Sequence, residues 1–134
     1  MIDKIAEYFE KKIKEVRGWP KDRVLDLCHW YAANGLLFAV KENGNITGAA
    51  CVRIVNSEDK DALDDSYSHD PYGDTYHIEL AAVDNSDVRK HLYFMGMREL
   101  GAIKKHFSYT RGKYNDIPKL INFNRIKQIH MEMK

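Results

Sequence analysis

Cysteine is scarce. Cys28 and Cys51 are the only two in 134 residues, and neither stands in a CxxC or other metal-ligand spacing. That pattern excludes a disulfide-stapled miniprotein and a cysteine-zinc module. It predicts two reduced, partly buried thiols in a cytoplasmic protein. Long apolar runs are missing too: none approaches the roughly 18 residues of a membrane span. The amino-terminal Met1-Ile2-Asp3-Lys4 lacks a signal-peptide core. Six histidines, at 29, 69, 77, 91, 106 and 130, show neither HxxxH nor HxH spacing, so no metal is expected. No internal repeat or low-complexity segment interrupts the chain.

What is present describes one globular domain over 1–134. The hydrophobic share is 44% and the charged share 31%, ordinary values for a folded protein. A chain of this length buries about two-thirds of its unfolded surface and needs no staple. Net charge is +1 but unevenly spread. Residues 57–75 hold seven acids and the single base Lys60, whereas 104–134 holds eight bases and two acids. Two expectations stay open: a basic face at 104–134 for an anionic partner, or two solvated surfaces that attract each other. Four aspartates between 59 and 65 invite a calcium loop. The glycine and terminal bidentate acid of such a loop are missing, which argues against it.

Hydrophobic spacing sets the elements. Ile2, Ile5, Phe9, Ile13 and Val16 recur at three- and four-residue steps and predict a helix over 2–17. Gly18 ends it, and Trp19-Pro20 makes a turn. A second helix is predicted over 21–33, with Val24, Leu25, Leu27, Cys28 and Tyr31 inward, closed by Asn34-Gly35. Residues 1–35 are thus helical, and 36–129 carry a sheet and a crossover helix.

The centre is a β-hairpin at 36–55. Asn43-Gly44 is the strongest local signal for it, since both residues tolerate the positive φ of a type I′ turn. On the return strand, strict alternation puts Ile46, Gly48, Ala50, Val52 and Ile54 on one face, and Ala49, Cys51, Arg53 and Val55 on the other. Both faces are largely apolar, so the hairpin is expected to be covered on both sides. Residues 56–75 form a long acidic connection with Pro71 and Gly73, read as a lid or a mobile excursion.

A third strand is predicted over 76–83, with Tyr76, Ile78, Leu80 and Ala82 opposite His77, Glu79, Ala81 and Val83. Asp84-Asn85-Ser86 supplies caps for a helix over 87–103 with core stripe Val88, Leu92, Met95, Leu100 and Ile103. Phe107–Thr110 reads as a fourth strand, and a further strand is predicted near 119–124. Strand-helix-strand at 76–110 requires a crossover and one parallel pairing. The fold class is α/β in the broad sense, more closely α+β.

This element order resembles the GNAT acyltransferase superfamily over roughly residues 19–125. The resemblance rests on the Asn43-Gly44 hairpin, the strand Tyr76–Val83 running into a capped helix, and the short strand Phe107–Thr110 behind it. Trp19-Pro20 and the Ile78-Glu79-Leu80 strand bring the chain nearest to the toxin-activating lysine acyltransferases and to small GNAT-like proteins of phages and bacteria. The resemblance implies a mixed, mostly antiparallel sheet flanked by helices on both faces. It implies an acyl group moved from a thioester donor, acyl-CoA or acyl carrier protein, to an amine acceptor that can be a protein. The donor's pantetheine would pair with the backbone of Leu80, Ala81, Ala82 and Val83. Its phosphates would meet the helix start from Asn85 and Ser86 to Arg89 and Lys90. Glu79 would take the acceptor's proton and Tyr109 would protonate the leaving thiolate.

Each of these residues also has a structural reading: Glu79 paired with His77 or Arg53 on a sheet face, and Tyr109 as a core aromatic. Two departures from the family stand out. Asn85-Ser86-Asp87-Val88-Arg89-Lys90 has no glycine where the acyl-CoA signature has them. Glu15, Val16, Arg17 and Gly18 provide no histidine ahead of Trp19-Pro20. Two further groupings carry less. Cys28 and His29 are helix neighbours that point about 100° apart and cannot act as a nucleophile-base pair. Tyr109-Thr110-Arg111-Gly112-Lys113-Tyr114 interleaves bases with aromatics, as single-strand nucleic-acid binders do, but the net charge of +1 opposes strong binding by the whole domain. The alternative function is a non-catalytic GNAT-like binding or structural module, of phage origin in one version, that uses its basic carboxy-terminal face.

Overall fold

The computed structural model describes residues 1–100 and, as backbone, the strand segments at 106–109 and 119–121. The expectations for Ile103, Thr110, Arg111, Lys113, Tyr114 and the rest of the basic segment lie outside the described residues.

The elements follow the chain as α1 (Ile2–Lys12), a 3-10 turn (Lys14–Gly18), α2 (Arg23–Ala33), β1 (Leu37–Glu42), β2 (Asn45–Val55), α3 (Lys60–Asp64), β3 (Thr75–Val83), α4 (Ser86–Leu100), β4 (His106–Tyr109) and β5 (Lys119–Ile121). The first helix is shorter than its periodicity implied. Ile13 is extended, at φ −110° and ψ 106°, so the chain turns there and Val16 reaches the core from the 3-10 turn instead. Arg17 secures the break by donating to the carbonyls of Glu10 and Lys11, which α1 leaves open at its carboxy-terminal end.

β1, β2 and β3 form an antiparallel sheet. β4 joins β3 in parallel and β5 closes the order β1-β2-β3-β4-β5. The fold is therefore α+β, and the β3–α4–β4 crossover carries the one parallel pairing among the described strands. Asn43 and Gly44 both take positive φ, 52° and 83°, as a two-residue primed turn requires.

Helices cover both faces of β2. Ala49 and Cys51 point into a core with Ile5, Phe9, Leu27, Cys28 and Tyr31 of α1 and α2. Ala50, Val52 and Ile54 point into a second core with Val88, Leu92 and Met97 of α4. Met97, outside the expected stripe of α4, is buried in this core, whereas Met95 and Leu100 only flank it. No helix among the described residues is long and apolar enough to cross a membrane.

Strict alternation fails at two bulges. Val40 pairs with Gly48 but Lys41 with Ile46, leaving Thr47 as an extra residue. Ile46 therefore packs against the α1–α2 core, not with Ala50 and Val52. On β3, Cys51 pairs with Leu80 but Val52 with Ile78, so Glu79 is the extra residue. Leu80 and Ala82 consequently join the α1–α2 core, while Tyr76, Ile78 and Val83 belong to the α4 core. The two faces predicted for residues 80–83 are exchanged.

Candidate functional site

Arg53 is an arginine within an otherwise apolar strand face, between Cys51 and Val55, and it is fully buried. Such a guanidinium needs partners for its five donors. The 56–74 connection supplies them by folding back as a strap. One terminal nitrogen donates to the carbonyls of Ala62 at 2.5 Å and Ser68 at 3.1 Å, the other to Leu63 at 2.8 Å. Ala62 and Leu63 lie at the end of α3, where carbonyls have no helical partner. Arg53 thus satisfies one end of α3, and Asp59 caps the other by accepting from the Ala62 N–H at 3.0 Å. The remaining nitrogen, Nε, lies 3.5 Å from Glu79 Oε2. It makes an ion pair there but has no hydrogen-bond partner among the described residues.

The bulge aims Glu79 at this group. His77 stands directly across from Arg53 in the β2–β3 register, and its Nε2 is 3.3 Å from Glu79 Oε2. Ser66 of the strap donates its hydroxyl to Glu79 Oε1 at 2.5 Å, a charge-assisted length. Ser66 is itself held, because Tyr31 of α2 donates to its carbonyl at 2.7 Å. Burial pushes the Glu79 carboxyl up, but the hydrogen bonds from His77 and Ser66 and the charge of Arg53 outweigh it and hold the group below its usual value. Burial and the nearby Glu79 charge push the Tyr31 phenol far up, so it stays protonated and a donor.

The strap closes at both ends. Asp74 accepts from the Ser57 N–H at 2.8 Å and the Ser57 hydroxyl at 3.0 Å. Nearer its middle, the Asp70 N–H donates to the Ile54 carbonyl at 2.7 Å, and the Ile54 N–H donates to His69 Nδ1 at 3.0 Å. Residues 69–70 thereby occupy the ladder position beside β2 that lies beyond the start of β1. The connection expected to be a lid or a mobile excursion is a hydrogen-bonded cover over Arg53 and Glu79.

β3 runs on past the described part of its parallel neighbour. Among the described residues β4 pairs with Thr75 to Ile78, with Tyr109 opposite Ile78. β3 continues to Val83, and no described strand pairs with its outer edge over 79–83. Of the residues assigned to a donor, Leu80 is buried, Ala82 and Val83 are half-buried and Ala81 is exposed. Asn85 caps α4, its Oδ1 accepting from the Val88 N–H at 3.0 Å. Ser86, Arg89 and Lys90 are exposed in the first turn. The side chain of Tyr109 lies outside the described residues.

α1 reaches the same junction. Asp84 is 3.0 Å from Lys12 Nζ and accepts from the Tyr8 hydroxyl at 2.8 Å, and both contacts hold its carboxyl below the usual range. The structure therefore brings Glu79 together with both partners named from the sequence. It adds Ser66, Tyr31 and His69, which carried no motif: Ser66 sits anonymously between Asp65 and Tyr67. Among the described residues no cluster of His, Cys, Asp and Glu could hold a metal ion. The chain matches no protein-family model, and no curated protein matches it in sequence.

Proposed function

We propose that this chain is a divergent acyltransferase-like domain whose thioester donor, acyl-CoA or acyl carrier protein, docks on β3. The observation that carries the reading is the reach of β3: among the described residues, 79–83 present a backbone edge beyond the last β3–β4 pair and lead straight into the capped start of α4. An extended pantetheine can add to such an edge through main-chain hydrogen bonds. Exposed Arg89 and Lys90 in the first turn of α4 suit the donor's phosphates. On this reading the α+β fold is a GNAT-like mixed sheet, Glu79 receives the acceptor amine's proton, and Tyr109 returns one to the thiolate.

A second reading has its own support. Arg53, His77 and Ser66 all engage Glu79 and lower its affinity for a proton, and a carboxylate so held is a weak general base. That favours a non-catalytic module using the same edge. A thermal-shift screen against coenzyme A, acyl-CoAs and acyl carrier protein tests both. A ligand that binds only the folded chain raises Tm with concentration. A shift followed by acyl transfer to an amine supports the enzyme. A shift without transfer supports the module, and no shift with any donor removes the thioester reading.

A further inference from the structure

We propose that His69 is a proton-operated latch: protonation of its imidazole loosens the 56–74 strap over the Arg53–Glu79–His77 group. The inference goes beyond acyl transfer and stands without it.

The latch rests on an exchange of donors. Ile54 faces the strap with both its backbone groups, giving its N–H to His69 Nδ1 and taking the Asp70 N–H on its carbonyl. In an ordinary antiparallel ladder both partners would be backbone. Here an imidazole nitrogen replaces one carbonyl. A carbonyl accepts at every pH, whereas Nδ1 accepts only while the ring is neutral and its proton is on Nε2. A protonated ring turns an N–H toward the Ile54 N–H, and the hydrogen bond is lost.

The position of the bond makes its loss count. His69 and Asp70 follow Ser68, whose carbonyl holds Arg53, and Ser66, whose hydroxyl holds Glu79. Losing this bond leaves residues 69–70 held to β2 by the Asp70–Ile54 hydrogen bond and loosens the segment that carries both contacts. The charged groups acting on His69 are Asp70 beside it, which favours protonation, and Arg53 from β2, which opposes it. Burial is the largest influence; with Arg53 it outweighs Asp70 and a contact with the Ile54 backbone, which favour the charged ring, and keeps the proton affinity below its ordinary value. The strap is therefore held more firmly near neutral pH and loosens on acidification.

The test follows backbone amide exchange across 56–74 and at Ile54, with the His69 ring titrated by NMR in the same samples. The range runs from about pH 8 down to just above the carboxylate values. Exchange, corrected for its intrinsic pH dependence, accelerates about tenfold, as loss of one hydrogen bond implies, and its midpoint coincides with that of His69. His69→Asn places an amide oxygen where Nδ1 stood and cannot titrate. This variant keeps wild-type protection at neutral pH and retains it in acid. His69→Ala shows the faster exchange at every pH. The latch is overturned if strap exchange ignores the His69 titration, if His69 does not titrate in this range, or if His69→Asn loosens in acid as the wild type does. None of these outcomes depends on whether a thioester binds.

Discussion

Arg53 and Glu79 form a buried ion pair, Nε to Oε2 at 3.5 Å, that exists because an extra residue in β3 turns Glu79 toward β2 and because the strap covers both. Neither residue neighbours the other in sequence. Removing one partner of a buried pair leaves an uncompensated charge, which costs far more than the pair contributes in its intact form. Arg53→Met also strips donors from the carbonyls of Ala62, Leu63 and Ser68. The expected loss is about 3–5 kcal/mol by urea denaturation. Arg53→Met combined with Glu79→Gln recovers part of it. A loss under 1 kcal/mol, on the order of an exposed pair, would contradict the assigned burial.

Acid sensitivity follows from Glu79. Its folded-state proton affinity is depressed, so below its unfolded pKa the unfolded chain binds more protons than the folded one. The stabilisation is complete above the ordinary glutamate value, near 4.5, and disappears as pH falls through that value toward the folded one. Tm measured against pH should drop in this window. Glu79→Gln lowers the plateau and flattens that drop. Ser66→Ala shifts the Glu79 titration upward, readable by carboxyl NMR, because it removes one of the hydrogen bonds to the carboxylate.

Gly73 is held against the strand it follows. A Cβ there would collide with the Val55 carbonyl group. Those atoms are backbone at the end of β2 and cannot turn aside. Gly73→Ala therefore pushes the strap off β2 at a cost of about 1–3 kcal/mol. Amide exchange should rise first in 56–74. Destabilisation confined to α1 and α2 would count against this account.

Cys28 and Cys51 are both free and fully buried in the α1–α2 core. Burial pushes the Cys51 thiol well above its usual value, and a thiol that stays protonated reacts slowly. A soluble thiol reagent should modify neither residue in the folded chain and both once urea unfolds it. Modification that tracks the unfolding transition is the expected outcome. Rapid labelling of Cys51 without denaturant would contradict its placement.

Much of the frame was legible in the sequence because its signals are local. Asn43-Gly44 specifies the hairpin through the φ values it permits. Asn85 announces α4 through a cap that needs only the next three residues. The order of strand, helix and strand then requires a parallel pair. Arg53 was legible as the partner of Glu79, since a lone arginine on an apolar strand face demands a counter-charge. The break of α1 at Ile13 was not legible, because Ile13 and Val16 continue the helical period on both sides of it.

Sequence alone thus determined α2, the hairpin, β3, α4 and their order, because propensity, capping and turn chemistry act within a few residues; it did not show the break of α1 or the short α3 inside the acidic connection. Tertiary structure decided the site. The bulges at Thr47 and Glu79 are defined only against a partner strand, and a single extra residue exchanged the faces of everything after it. The strap's route over Arg53 was likewise set by the guanidinium's need for acceptors in the interior. Nothing in the acidic 56–74 segment marks Ser66 or His69 as the residues that meet that need's neighbours, Glu79 and Ile54. Their roles come from contacts across 13 and 15 residues of chain, and those form only once the sheet has brought β2 and β3 together.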